Sequence, residues 1–453
     1  MYKTDDLLKG SYRYEKNGWI FLHIEGKPYQ RGFQHGFHMA PELSDVMKTL
    51  DFYLYRQTGK PFSFFMEGAK NSFLPHIEEE YVEELQGIRD GAAQAGAKFP
   101  LEALIVWNGY LEFTEYWWPA QKEQQAPEER QKTHCSAFIA TGDATADRDI
   151  VIGHNTWLDF VLGQYLNVIL DLVPADGCRI FMQTGPGFIH SFTDFFLTDA
   201  GIMGTETTIQ GFRKFDESGV PEFNRARKAM QYGKSIDQWV RLMREQNNGG
   251  YAGSWLLGDI KTKEIARFEL GLDYSDLQKS KNGCFAGFNA PEDPQIRNLE
   301  CSDTGYDDLR TNGNRRVRWD ALISRCYGHI DIKTAMRMLA DHGDAYLGQA
   351  DAPSGRTLCG HQDADPVRFG GEGAILPFFP GGALDAKVST GRLASNLSFW
   401  ARFGRSCGEP FSAEGFLREH PQWAWQRGFL KDRPTRPWTL FGAENQPQGN
   451  HPT

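Results

Sequence analysis

Between residues 121 and 135 the chain changes character in a way that few folds accommodate. From Gln121 to His134 it reads QKEQQAPEERQKTH, with almost no apolar side chain. Such a run buries too little surface to offset the entropy of ordering it, so it is expected to be an exposed loop or linker. At Cys135 the pattern reverses. Cys135-Ser136-Ala137-Phe138-Ile139-Ala140 reads as a buried strand, and Ile150-Val151-Ile152-Gly153 as a second. Asp143 to Asp149 between them is the turn of a hairpin that begins with a cysteine, directly after a solvated segment.

The remaining pattern sets the fold class. Trp19-Ile20-Phe21-Leu22 reads as a short strand, and the rest of the first 120 residues as largely helical. Tyr81, Leu85 and Ile88 recur at helical spacing, with Gly91 and Gly96 expected to end that helix. Further strands are expected at Tyr165–Val173, Arg179–Gln183, Gly201–Ile209, Ser254–Asp259 and Ile265–Leu270. One helix starts at Ser235, with Gln238 completing a capping box and Gly249 beyond its end. Others are expected over Arg315–Cys326 and Asp331–Leu339. Strands with helices grouped before and after them suggest an α+β layered fold rather than βαβ alternation. A length of 453 residues allows roughly three domains, or one large fold with extensions. No internal repeat is visible, and the polar tail from Ala443 to Thr453 is expected to fray.

Charge and motifs exclude several classes. Lys plus Arg is 49 against 59 Asp plus Glu, a net charge of −10, which argues against binding driven by phosphates or by an acidic membrane surface. The seven cysteines, at 135, 178, 284, 301, 326, 359 and 407, contain no Cys-x-x-Cys pair, and the histidines are scattered, so no metal site is expected. His35 and His38 read as part of a turn leading into a helix. Walker, His-Glu-x-x-His, Gly-x-Ser-x-Gly and dinucleotide motifs are all absent. The first six residues carry no apolar signal region, and stretches such as Ala103–Trp107 are too short to span a bilayer, so a soluble protein is expected.

Cys135 is the candidate nucleophile. A cysteine opening a buried strand is commonly just a small apolar residue. At the junction of a solvated linker and a central strand, however, it stands where an N-terminal nucleophile hydrolase places its thiol. Attack on the carbonyl of His134 and hydrolysis of the thioester would free the Cys135 α-amine. With a reference pKa of about 7.7–8.0, that amine is suited to act as base for its own side chain. His154 ends the second strand, where the hairpin brings it back toward Cys135. It reads either as a solvated strand-end histidine or as a partner that tunes the thiolate or orients the amine.

These residues carry a resemblance. Cys135-Ser136-Ala137 and Gly153-His154-Asn155-Thr156-Trp157 resemble the phospholipase B-like proteins, a branch of the cysteine N-terminal nucleophile hydrolases. The likeness continues in order through Pro186–Ser191 with Asp194-Phe195-Phe196, Glu206–Ile209, Ser254–Asp259, Phe288–Pro291 and Gly381–Val388, and on through Trp423 and Trp438 to Phe441. It implies an αββα sandwich, two antiparallel sheets between helical layers. Residues 1–134 would become a small chain and residues 135–453 the catalytic core. It implies that Cys135 is both nucleophile and cleavage point, and that Asn289 supplies an oxyanion donor. It also implies an active-site arginine at Arg315, with Arg316 one residue away as the alternative. Thr207 and Thr208 would line the pocket. Trp157, counted with the substrate-binding residues, stands where other cysteine relatives carry an aspartate, with Asp159 two residues further on. The activity implied is hydrolysis of a linear amide, an N-acyl substrate, without cofactor or metal. A lipid acyl esterase, an acyltransferase and a non-catalytic lipid- or peptide-binding protein are the alternatives. Neither compartment nor oligomeric state is implied.

Overall fold

The computed structural model describes residues 3–121, 135–367 and 376–443. The expected linker beyond Gln121, including His134, and the tail beyond Ala443 lie outside the described residues.

Strands β1 (Tyr12–Lys16), β2 (Trp19–Gly26), β5 (Val168–Pro174), β6 (Ile180–Thr184), β7 (Phe196–Thr198), β8 (Ile202–Thr208), β9 (Gly253–Asp259), β10 (Glu264–Leu270) and β11 (Ser275–Ser280) form one sheet in that order. The second sheet runs β12 (Gly283–Gly287), β3 (Ser136–Thr141), β4 (Val151–Asp159), β13 (Gly381–Thr390), β14 (Ser398–Phe403) and β15 (Thr439–Gly442). Pairing is antiparallel throughout the second sheet, and the first contains one parallel contact, β2 with β5. Through that contact the N-terminal segment is part of the first sheet.

The apolar pattern explains the layering. Ala137 and Ile139 of β3, with Ile150 and Ile152, face Phe21, Ile169, Phe181, Met203 and Leu256 of the other sheet in one buried cluster. The alternate residues Phe138, Ala140 and Val151 pack outward on Trp319 and Leu322 of α7 (Asn312–Cys326) and Met338 and Leu339 of α8 (Ile332–Leu339). The outer face of the first sheet is covered by α1 (Pro28–His38), α2 (Ala40–Thr58), α3 (Glu79–Gln94), α4 (Leu101–Asn108), α5 (Glu222–Tyr232) and α6 (Ile236–Arg244). The result is the expected four-layer sandwich of helices, sheet, sheet and helices. Strands buried on both faces read as near-continuous apolar runs, which is why they stand out in the sequence.

Local expectations hold in part. Ser235 Oγ accepts the Gln238 N–H at 3.2 Å, but α6 ends at Arg244, well before Gly249. Asp331 caps α8 through the Thr334 N–H at 2.7 Å. Gly91 does not end α3. It lies inside the helix, where an added Cβ would stand 2.0 Å from the Phe33 carbonyl oxygen. His35 and His38 occupy the last turn of α1 rather than a turn before a helix, because Pro28 sits in the first helical turn and starts α1 earlier. His35 is buried and its Nε2 accepts the Gly187 N–H at 2.8 Å.

Candidate active site

Cys135 immediately precedes β3, at the mouth of the second sheet, and is half-buried. Ser136 pairs with Asn155 and Ala137 with His154, so β4 runs beside the cysteine as the hairpin reading required. The Trp157 backbone N–H donates a hydrogen bond to the Cys135 thiol. Burial pushes that thiol up to about 12. Glu206 and Asp194 push the same way, while the Trp157 N–H and Lys387 pull it down. Desolvation wins, so at neutral pH the side chain is a thiol and needs a base to react.

Arg315 lies in the first turn of α7, with its guanidinium buried. Its Nη1 donates to the Cys135 carbonyl oxygen at 2.5 Å and to Asn289 Oδ1 at 2.7 Å, and its Nη2 to Asn312 Oδ1. It also stacks over the buried Trp157 ring, 5.0 Å from the centroid. No ion pair joins it to a carboxylate among the described residues. Burial accordingly lowers it to about 9, with the Cys135 sulfur acting in the opposite direction. Arg316 turns away: its Nε donates to the Tyr306 carbonyl oxygen at 3.1 Å and its Nη2 meets Asp307. Of the two arginines, Arg315 is the one beside the cysteine.

Asn289 follows β12 with φ +64°, a left-handed conformation that asparagine tolerates better than most residues. Its Nδ2 donates to the Thr208 carbonyl oxygen at 2.7 Å, and its own carbonyl oxygen accepts from the Gln210 N–H and from Asn312 Nδ2. One N–H of the side-chain amide is thereby used and a second is left. Thr207 lies at the β8–β12 contact, where a Cβ on Gly287 would be 2.7 Å from its Oγ1. Trp157 is more a supporting wall than an open surface, being stacked on Arg315 and so close to Gly360 that a Cβ there would meet its ring at 2.3 Å.

His154 is not the solvated strand-end residue that one reading allowed. It is fully buried opposite Ala137 and Lys387, its ring 6.5 Å from that of Phe195, and neither ring nitrogen makes a hydrogen bond. Burial, then Lys387, hold it well below the ordinary histidine range, with the Glu206 backbone a weaker opposing influence. It therefore sits as a neutral imidazole. Asp159 lies at the far end of β4 against the Tyr53 hydroxyl.

Sequence reasoning did not single out the charged groups behind the cysteine. Lys387 is buried, with Nζ 2.6 Å from Asp385 Oδ1 and donating also to Thr156. A register shift in β13 between Ala383 and Asp385 sets Asp385 and Lys387 opposite Thr156 and His154. The Tyr251 hydroxyl donates to Asp194 Oδ2 at 2.5 Å and lies 3.2 Å from Glu206 Oε2, and burial pushes Asp194 up to about 8 and Glu206 well above the ordinary range. These acids hold protons at neutral pH, so they crowd the thiol with little net charge. The available signal was the Asp385-x-Lys387 alternation, which puts opposite charges on one face of a buried strand.

A half-buried cysteine thus stands at the start of an inner strand of a two-sheet α+β sandwich, beside a buried arginine. Residues 69–278 match the family model described as Phospholipase B, a span that includes Cys135, His154, Trp157, Thr207 and Thr208 and stops before Asn289 and Arg315. An uncharacterized protein of Archaeoglobus fulgidus is 24% identical over 403 residues, covering 86% of this chain and 64% of its own. The phospholipase B of Crotalus adamanteus is 23% identical, covering 59% of this chain and 51% of its own. Human phospholipase B-like 1 is 26% identical, covering 60% and 51%. The chain is similar to the phospholipase B-like proteins, and spans between half and two thirds of the length of these curated relatives.

Proposed function

We propose that the chain is a self-processing hydrolase that cuts its own His134–Cys135 bond and then hydrolyses a linear amide, an N-acyl substrate, through a Cys135 thioester. The observation that carries this reading is Arg315. A buried guanidinium without a carboxylate partner among the described residues, bonded to the Cys135 carbonyl oxygen and to Asn289, is a site poised for an anion at that position. The raised thiol fits the same chemistry, because a base built into the same residue is available only after cleavage.

In turnover the freed Cys135 amine takes the thiol proton, and the sulfur attacks the acyl carbon. The oxyanion is met by the second N–H of Asn289 and a backbone N–H, worth roughly 3–4 kcal/mol of barrier. Arg315 balances the developing charge. Collapse expels the amine, which receives the proton held by the Cys135 amine, and water then cleaves the thioester. His154, being neutral, orients rather than stabilises charge. Thr207 and Thr208 fix the Asn289 side of the site. The printed names of the relatives favour a second reading, a lipid acyl ester in place of the amide.

The test is intact mass under denaturing conditions for the full chain and for Cys135→Ala, followed by release of acid from an N-acyl amide and from a phospholipid. From a 51.4 kDa chain, cleavage at Cys135 gives fragments of roughly 15 and 36 kDa. Both fragments in the wild type and one uncut chain in the variant are expected. A chain that stays whole after acidification and hydrolyses neither substrate would overturn the proposal and favour a binding protein on this scaffold.

A further inference from the structure

We propose that His342, Cys359, His361 and Cys407 bind one Zn²⁺ as a structural ion, away from the chemistry at Cys135. The absence of Cys-x-x-Cys spacing concealed it. The four ligands come from the loop after α8 and from the turn after β14, 65 residues apart at the extremes. One nitrogen or sulfur from each residue lies within 4.8 Å of all the others.

The three spacings around His361 Nε2 match the edges of a tetrahedral zinc site. With Zn–N of about 2.0–2.1 Å and Zn–S of about 2.3 Å, tetrahedral angles put nitrogen roughly 3.3 Å from nitrogen and roughly 3.5 Å from sulfur. The Nε2 atoms of His342 and His361 are 3.1 Å apart, and His361 Nε2 is 3.5 Å from both Cys359 Sγ and Cys407 Sγ. Hydrogen bonding alone does not explain this. A ring nitrogen carries either one N–H or one lone pair, yet His361 Nε2 faces three partners. A cation at the centre satisfies all of them at once.

The surroundings fit as well. In metal sites the ligating histidine commonly donates its other nitrogen to a carboxylate. Here His342 Nδ1 is 2.9 Å from Asp351 Oδ1, while His361 Nδ1 makes no hydrogen bond among the described residues and has Glu409 Oε2 3.6 Å away. The Glu409 N–H donates to Cys407 Sγ at 3.4 Å, as befits a thiolate. Cys359 and His361 are buried while His342 and Cys407 are half-buried, which leaves a route for the ion. Binding would expel the thiol protons to solvent, and two thiolates would neutralise the ion.

The ion would brace the candidate site from behind. The same loop passes Gly360 against Trp157 and offers the Leu358 carbonyl oxygen to Asn155 and the Arg356 carbonyl oxygen to Asn314, the neighbour of Arg315.

The experiment uses the full chain, purified without a polyhistidine tag. Metal is counted by elemental mass spectrometry, and the site is reloaded with Co²⁺ for visible spectroscopy. One zinc per chain is expected, with a tetrahedral Co²⁺ spectrum bearing thiolate charge-transfer bands. Cys407→Ser should lose both, Cys284→Ser neither, and the exposed Asp351→Asn should bind Zn²⁺ roughly tenfold more weakly. If Cys407→Ser does not fold, the wild-type count and spectrum still decide. A metal-free chain that takes up no Co²⁺, a Co²⁺ spectrum without thiolate bands, or a Cys359–Cys407 disulfide in peptide mapping would overturn the proposal.

Discussion

Arg315 is a charge held where charge is expensive. Its partners are neutral carbonyl and amide oxygens and an aromatic ring, and burial has already lowered it to about 9. Arg31, by contrast, has the Glu84 carboxylate beside it at 2.6 Å. Removing an uncompensated buried cation relieves desolvation rather than breaking a pair. Arg315→Gln is therefore expected to keep or raise the thermal midpoint while slowing acyl transfer by roughly 10²–10³-fold. Calorimetry and steady-state rates on the same preparation check this. An unchanged rate would remove Arg315 from the chemistry. The sequence pointed to Arg315 only through resemblance, with Arg316 as the alternative. The choice between adjacent arginines needed the helix phase, which points one toward Cys135 and the other onto Tyr306.

At the scale of elements, α1 and α3 meet along a seam of glycines. A Cβ on Gly32 or Gly36 would stand 2.0 or 1.9 Å from a carbonyl oxygen of α3, and one on Gly87 or Gly91 2.3 or 2.0 Å from a carbonyl oxygen of α1. The helices touch backbone to backbone, so the obstacle cannot rotate aside as a side chain would. In an isolated helix, alanine is favoured over glycine by about 1 kcal/mol. Here overpacking wins, and Gly36→Ala or Gly91→Ala should each cost about 1–3 kcal/mol net. Denaturant unfolding measures it, and a stabilised Gly91→Ala would refute the seam. Read alone, Gly91 looked like a helix terminator, because a glycine's role depends on what lies opposite. The β3–β4 hairpin was legible because its residues are apolar on both faces, and only the extension of β4 to Asp159 went unread.

At the scale of the whole molecule, the interior holds several acids whose protons are retained far above the ordinary carboxylate range. Burial pushes Asp194 up to about 8 and Glu112 to about 7, and raises Glu206 and Glu222 well above the ordinary range. In the unfolded chain these groups lose their protons near pH 4. The folded state thus binds more protons than the unfolded one, and its stability falls as pH rises through the folded values. Buried His35, held near 4, and His190, near 3, act oppositely, their contribution being lost as pH falls below about 6.5. Above that point these two histidines no longer oppose the acids. The unfolding free energy should therefore decline from pH 6.5 to 8, with a shallower decline in Asp194→Asn. A flat profile in the wild type would contradict it.

The residue pattern by itself pointed to an α+β layered fold, because strands buried on both faces read as apolar runs and helices with one apolar stripe lie outside them. The two-sheet sandwich came from the resemblance. The residue pattern also marked Cys135, because a solvated run ending at a buried strand is a local signal. Tertiary structure decided what surrounds that cysteine. Which arginine faces it, that His154 is neutral and enclosed, and that Lys387, Asp194 and Glu206 crowd it all follow from register and from packing between distant segments. The cluster of His342, Cys359, His361 and Cys407 is of the same kind. Four side chains from two loops converge only once both loops are pinned, and no local pattern records a meeting of that sort.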